Sequence, residues 1–258
     1  MSVTVFVTGA TGTIGREVVN ALAERGNVNV RVGVRKDSFA KVLKHKNVTP
    51  VAFDWDDKNS YSALAGSDRV FVATPGVPES HELVQALVAE AKKAGVNRIV
   101  KLSSGGADAD KPIRLAGNHR KGELAVEKSG IAYTLLRPGM FADNFINYWP
   151  PQKDGNIYLP FGTAKLALID ARDVGVIAAA ALLDEGYAGK ALELSGAAAL
   201  DVNEVAAVLS KVTGRAIKYV DVSEDDAKKG MAGAGMPPWM VDDFAELYAI
   251  AKQGWLAG

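Results

Sequence analysis

The chain has 258 residues, no cysteine, and 30 basic against 30 acidic side chains, so its formal charge is zero. The length suits one α/β domain with a smaller lobe attached. The composition excludes a disulfide framework and a thiol nucleophile, and with no long basic run it offers no footprint for direct nucleic-acid binding. The most apolar helical run, residues 174–183, is too short to cross a bilayer. The chain opens on a strand with no signal-peptide pattern, so the expectation is a cytoplasmic protein with no membrane partner.

The first predicted strand, residues 3–7, runs directly into Gly9, Gly12 and Gly15 and then into a helix over 14–25. Ile14, Val18, Val19 and Leu22 share one face of that helix. Glycine permits the tight turn and lets backbone N–H groups approach a ligand closely. The helix N-terminus behind it favours a pyrophosphate. In this strand–turn–helix context the spacing predicts a dinucleotide site, with Gly9, Thr11, Gly12, Thr13, Ile14 and Gly15 as contacts. Arg16 is a further candidate for a phosphate.

The second strand, 28–34, ends in Arg35 and Lys36. NAD-binding members of this architecture carry an acidic residue there for the ribose 2′-hydroxyl. Two cations in its place predict NADP, with NADPH preferred over NADH, because a guanidinium can donate two parallel bonds to a phosphate. Gly33 is expected to leave room for that phosphate. The third strand, 48–53, is followed by Asp54, a candidate acceptor for the adenine amino group. The fourth, 69–73, ends at Ala73, Thr74 and Pro75, expected along the ribose and pyrophosphate.

A helix over 78–94 follows, with Leu83, Val84, Leu87, Val88 and Ala91 in helical period and Gly95 past its end. Then come a strand at 98–102, a helix at 118–128 and a strand at 132–136. Strands alternating with helices imply βαβ units and a parallel sheet. The fold class expected is therefore α/β, a Rossmann-type doubly wound parallel sheet with a smaller, interleaved C-terminal substrate lobe. The pattern breaks near Phe141, and Trp149-Pro150-Pro151 opens a loop-rich crossing. A helix is expected over 171–183 and a strand at 191–194. Asp201, three positions before Glu204, caps a helix running to 212, and a last helix covers 239–253. The boundaries expected are residues 1–148 for the nucleotide-binding core, with 166–198 returning to it, and 149–165 plus 199–258 for the substrate lobe.

Thr8-Gly-Ala-Thr-Gly-Thr-Ile-Gly15, Val34-Arg35, Leu102-Ser103-Ser104 and Tyr133-Thr-Leu-Leu-Arg-Pro-Gly-Met-Phe-Ala-Asp-Asn144 together resemble the NmrA-like branch of the atypical short-chain dehydrogenase/reductases. Asp170-Ala171-Arg172-Asp173-Val174 extends the resemblance over nearly the whole chain. Standard members of that superfamily use Tyr-x-x-x-Lys on the helix after the fifth strand. Here His119 and Glu123 occupy a His-x-x-x-Glu pattern similar to that of the branch, and they stand as the catalytic candidates. The resemblance implies that Ser103, Pro138 and Phe141 meet the cofactor. Ser104, Met140, Phe141, Asn144, Tyr148, Trp149, Met236 and Trp239 are expected to line an acceptor pocket.

Loss of the tyrosine acid narrows the chemistry. Reduction of a simple ketone needs a proton donor or an oxyanion stabiliser. A quinone delocalises its reduced charge, and a cationic dye becomes neutral on accepting hydride. The resemblance implies reductases of quinones, azo dyes and triphenylmethane dyes, with direct hydride transfer and neither metal nor flavin. The alternative is a non-catalytic, redox-sensing regulator that binds NADP and a partner protein; a third reading is an isomerase or dehydratase. The expected partner is a small-molecule electron acceptor, and a homodimer is compatible with this reading.

Overall fold

A computed structural model describes residues 2–42 and 44–258. In chain order the elements are β1 (Val3–Val7), α1 (Thr13–Ala23), β2 (Val28–Val34), β3 (Val48–Ala52), β4 (Arg69–Val72), α2 (Ser80–Lys93), β5 (Arg98–Leu102), α3 (Arg114–Glu127), β6 (Ala132–Pro138), α4 (Asn144–Asn147), β7 (Asn156–Leu159), β8 (Leu166–Ala167), α5 (Ala171–Leu183), β9 (Lys190–Leu194), β10 (Ala199–Leu200), α6 (Val202–Thr213), β11 (Lys218–Asp221), α7 (Glu224–Gly233) and α8 (Pro238–Lys252). No helix among the described residues is long and apolar enough to cross a membrane.

Two compact units divide the chain. The first comprises the residues up to Pro138 together with Ala171–Leu194. Its sheet has the strand order β3-β2-β1-β4-β5-β6-β9, and every neighbouring pair is parallel. Strand order reverses between β1 and β4, the point where open α/β sheets bind ligands at their carboxyl ends. Residues of successive strands alternate between the two faces. Phe6, Val70, Val72, Ile99 and Leu135 form one cluster with Val84 and Leu87 of α2. Elsewhere in the unit α1 packs against α5. Gly175 allows that approach, since a Cβ there would lie 2.7 Å from the backbone of Glu17. At the amino edge of the sheet, buried Arg98 donates to the carbonyls of Ala181 (3.0 Å) and Asp184, satisfying the open end of α5.

The second unit comprises Gly139–Asp170 and Ser195–Gly258. It holds two small strand pairs, β7 with β11 in parallel and β8 with β10 antiparallel. Its core is aromatic: Trp149 lies among Phe145, Phe161, Phe244 and Tyr248, with ring centroids 5.4–6.2 Å away. Asp201 and Glu204 form the capping box expected from their spacing, and Lys165 pairs with both. Pro238 opens α8, where its missing N–H costs nothing.

The first crossing between units falls at Pro138/Gly139, not at 148/149, because residues 139–148 pack with the second unit. The segment read as a loop-rich crossing contains β7 and is flanked by α4 and β8, and α7 lies between the two helices expected in the rest of the lobe. These are short pieces whose partners are distant in sequence. Asn156 pairs with Lys218 and Leu166 with Leu200, so no local periodicity announces them.

Candidate functional site

The three glycines of the first turn do different work. Gly9 has φ +62°, and a Cβ on it would stand 2.9 Å from the carbonyl oxygen of Ala73. Gly15 packs against the turn itself, since a Cβ there would lie 2.2 Å from the oxygen of Gly9. Gly12 is exposed, and its Cβ would meet only that same oxygen, at 3.2 Å. Thr8 ties the turn to the next strand: its hydroxyl donates towards Phe71 and Ala73 carbonyls at 3.1 and 3.2 Å and accepts the Ala73 N–H at 2.9 Å. Helix α1 then begins at Thr13, with Gly12 before it giving no side-chain cap. A helix start has N–H groups without intrahelical partners, and a bare glycine cradle in front of it fits a pyrophosphate.

That turn forms one wall of a cleft of about 640 Å³ in the first unit. Gly9, Thr11, Gly12, Thr13, Ile14 and Gly15 line it, as do Arg35, Asp54, Ala73, Thr74 and Pro75. Arg16 and Lys36 are exposed and stand outside the lining, as do Ser103, Pro138 and Phe141. Ser38, Trp55, Val77, Glu79, Glu82 and Leu83 also line the cleft without having been singled out. Ser38 is the one with a sequence signal, a hydroxyl three residues past Arg35. The Arg35 side chain is 66% exposed and meets Asp37 at 3.9 Å. Asp54 orders its own loop, accepting the Asp56 N–H at 3.1 Å. Gly33 lines the cleft, but its bareness has another cause. A Cβ there would lie 2.6 Å from the Phe6 ring and 3.2 Å from Phe53, so the glycine is required by packing beneath the strand.

A dense charged cluster lies along β5, α3 and β6. Glu123 is 0% exposed. Its carboxylate accepts from Ser103 Oγ (2.6 Å), Arg137 Nε (2.8 Å), Arg137 Nη2 (2.9 Å) and Arg120 Nη1 (2.8 Å). Burial alone would raise its pKa, but the bonds from Arg137, Ser103 and Arg120 outweigh that and hold it at about 2. Arg137 reaches on to Asp108 (2.5 Å) and Glu193 (3.1 Å). The expected catalytic part for Glu123 is therefore corrected: a carboxylate held ionised and surrounded by donors has no proton to give. It clamps α3 to β5 and β6. Ser103 donates its hydroxyl hydrogen to Glu123, and its side chain is buried.

His119 faces a different partner. Its Nδ1 lies 3.3 Å from Nζ of Lys101, a residue the sequence reading did not single out. Burial and the Lys101 charge push the imidazole down to about 3. Burial pulls Lys101 down to about 8, with Glu123 opposing. The signal for Lys101 was present: a lysine beside Ile99, Val100 and Leu102 in a short strand of an expected parallel sheet, Arg98-Ile-Val-Lys-Leu.

In the first unit, Ser104 is half-buried and donates to the Gly105 carbonyl at 3.1 Å. In the second unit, Trp149 is 5% exposed and belongs to the aromatic core, as does Met140. These two are corrected from pocket lining to packing, because their side chains are closed in by the lobe. Tyr148 is 45% exposed and leans on Phe244. Phe141, Asn144, Met236 and Trp239 are partly buried.

Comparison with known proteins bears on this geometry. The chain is 38% identical over 256 residues to NAD(P)H azoreductase from Xenophilus azovorans, covering 98% of this chain and 89% of that one. It is 29% identical over 260 residues to quinone oxidoreductase 2 from Escherichia coli, with 98% and 89% covered. The crystal structure of the NADPH-dependent quinone oxidoreductase from Escherichia coli complexed with NADPH superposes with a TM-score of 0.85 at 28% identity, over 98% of this chain and 91% of that one. Residues 1–254 match the NmrA-like family, and the chain belongs to that family.

Proposed function

We propose that this protein is an NADPH-dependent reductase that passes hydride to a small, planar, electron-deficient acceptor such as a quinone or a dye. The observation that carries the reading is the cleft itself, a glycine cradle at a helix start with Arg35, and no carboxylate, at the end of β2. The azoreductase and quinone oxidoreductase names of its relatives support the same chemistry.

NADPH, when bound, supplies the hydride. The chain's residues bind and orient it. Gly12 would let the pyrophosphate approach the backbone, Arg35 and Ser38 would hold the 2′-phosphate, and Ala73, Thr74 and Pro75 would take the other wall. Hydride transfer to a delocalised acceptor depends mostly on holding the reactants in line. His119 stays neutral at physiological pH, so a proton it supplied would come from a ring N–H and not from an imidazolium. In the second unit, Phe141, Asn144, Tyr148, Met236 and Trp239 supply aromatic and polar groups suited to a flat acceptor ring.

The test is NADPH oxidation measured against quinones, azo dyes, triphenylmethane dyes and simple ketones, with cofactor deuterated at the nicotinamide C4. Turnover of the delocalised acceptors, little turnover of ketones, and deuterium in a reduced dye are the expected results. No turnover with any acceptor, alongside tight NADP binding and a captured partner protein, would replace this reading with that of a regulator.

A further inference from the structure

Lys101 is the buried charge to which hydride transfer by positioning assigns no task. It is 2% exposed on β5, and lysine is almost never fully buried without a partner. Its ammonium donates to the Leu102 carbonyl at 3.0 Å and lies 3.3 Å from Nδ1 of His119. Gly122 on α3 keeps that route open, since a Cβ there would stand 2.9 Å from Lys101 Cε. Glu123, one residue further on, is engaged by Ser103, Arg120 and Arg137. An ammonium has three donors and no acceptor. The contact therefore has one direction: Nδ1 accepts, and the imidazole hydrogen sits on Nε2.

We propose that Lys101 is a positioning residue that locks His119 in its Nε2–H tautomer and re-protonates the ring when Nε2 gives its proton to the reduced acceptor. The second half rests on the reductase reading, since only there does an acceptor arrive. The step balances. Once the acceptor carries the hydride as an anion, the Nε2–H bond breaks and its proton passes to the acceptor. An Nζ–H bond of Lys101 breaks as an Nδ1–H bond forms. The imidazole remains neutral with its tautomer reversed, and the pair resets when Nε2 takes a proton from solvent and the Nδ1 proton returns to the lysine amine. A ring held near 3 stays neutral throughout, and an ammonium brought down to about 8 is an able donor near neutral pH. The charges around the pair are Glu123 on α3 and Arg137 on β6. His81 of α2 is bonded to Asn118 at 2.6 Å.

The direct test is a two-bond proton–nitrogen correlation spectrum of the nitrogen-15-labelled protein. It has three histidines, and His45→Asn and His81→Asn variants assign the remaining ring. His119 should show the Nε2–H form alone from pH 5 to 8, and Lys101→Met should give a mixture. With a quinone, Lys101→Met should lower kcat by the same factor as His119→Ala, below roughly a hundredfold, with KM unchanged. The double variant should be no slower than either single one. An Nδ1–H ring in the unaltered protein overturns the proposal, and that spectrum decides even if Lys101→Met fails to fold. Losses that multiply in the double variant overturn it as well. A lock in a protein that reduces nothing defeats the relay through the reductase reading, whereas no lock in an active reductase defeats the relay alone.

Discussion

Arg35 places the choice between the two nicotinamide dinucleotides on one guanidinium. Among the described residues its ion-pair partner is Asp37, 3.9 Å away with both side chains mostly exposed, and such pairs are worth about 0–1 kcal/mol. The planar fork is therefore available to a phosphate. Charge-assisted hydrogen bonds contribute about 1.5–3 kcal/mol, so Arg35→Ala should weaken NADPH binding roughly tenfold to a hundredfold and leave NADH nearly unchanged. Fluorescence titration with both cofactors checks this, and equal affinities in the unaltered protein would contradict the assignment. Glu123 makes the contrasting case of a residue whose partners are all protein. Glu123→Ala would leave Nε and Nη2 of Arg137 without an acceptor in the interior while Nη1 keeps Asp108 and Glu193, and breaking a buried pair costs at most about 3–5 kcal/mol. Urea unfolding should show that loss, while Glu127→Ala, at a more exposed pair with Arg120, should stay within about 1 kcal/mol.

The β1–turn–α1 element separates binding from folding within seven residues. Gly12 has φ −82° and ψ 175°, a conformation open to any side chain, and its Cβ would meet a single backbone oxygen. Gly12→Val is expected to leave a folded protein that no longer binds NADPH by calorimetry. Gly15→Val should instead lower the melting temperature, because its Cβ would overlap the backbone of Gly9. Normal NADPH binding by Gly12→Val would mean that this glycine serves geometry alone. The same element shows why so much of the fold was legible. Strand, turn and helix are local, so spacing and period reveal them, and the strands β1, β2 and β5 and the helix α5 fall where the pattern put them. The strand pairs of the second unit are held by partners far along the chain, and their two to four residues carry no readable period. The candidate site divides in the same way. The glycines, Arg35 and Asp54 announce themselves by position after a strand. The real partners of Glu123 and His119 come from β5 and β6, so the helix period that set those two residues side by side could not show that one belongs to Arg137 and the other to Lys101.

At the scale of the whole molecule, the cluster of Glu123, His119 and Lys101 makes stability rise with pH. Glu123 is held at about 2 against an ordinary 4.5, and His119 at about 3 against 6.5. Both groups therefore bind fewer protons in the folded chain than in the unfolded one over those intervals. Stability then rises with pH wherever the unfolded state holds more protons. The contribution of His119 is complete above about pH 6.5 and is lost as pH falls towards 3. That of Glu123 is complete above about 4.5 and is lost towards 2. Lys101, at about 8 against 10.5, adds a gain between those two values. Urea midpoints should fall steadily from pH 7 to pH 4. In His119→Ala the slope between pH 6.5 and 4.5 should flatten, because the imidazole that drives it is gone, while the steeper loss below 4.5 should persist. A variant whose midpoints track the unaltered protein through the upper interval would show that His119 titrates alike in both states, and so is not held neutral by Lys101 and burial.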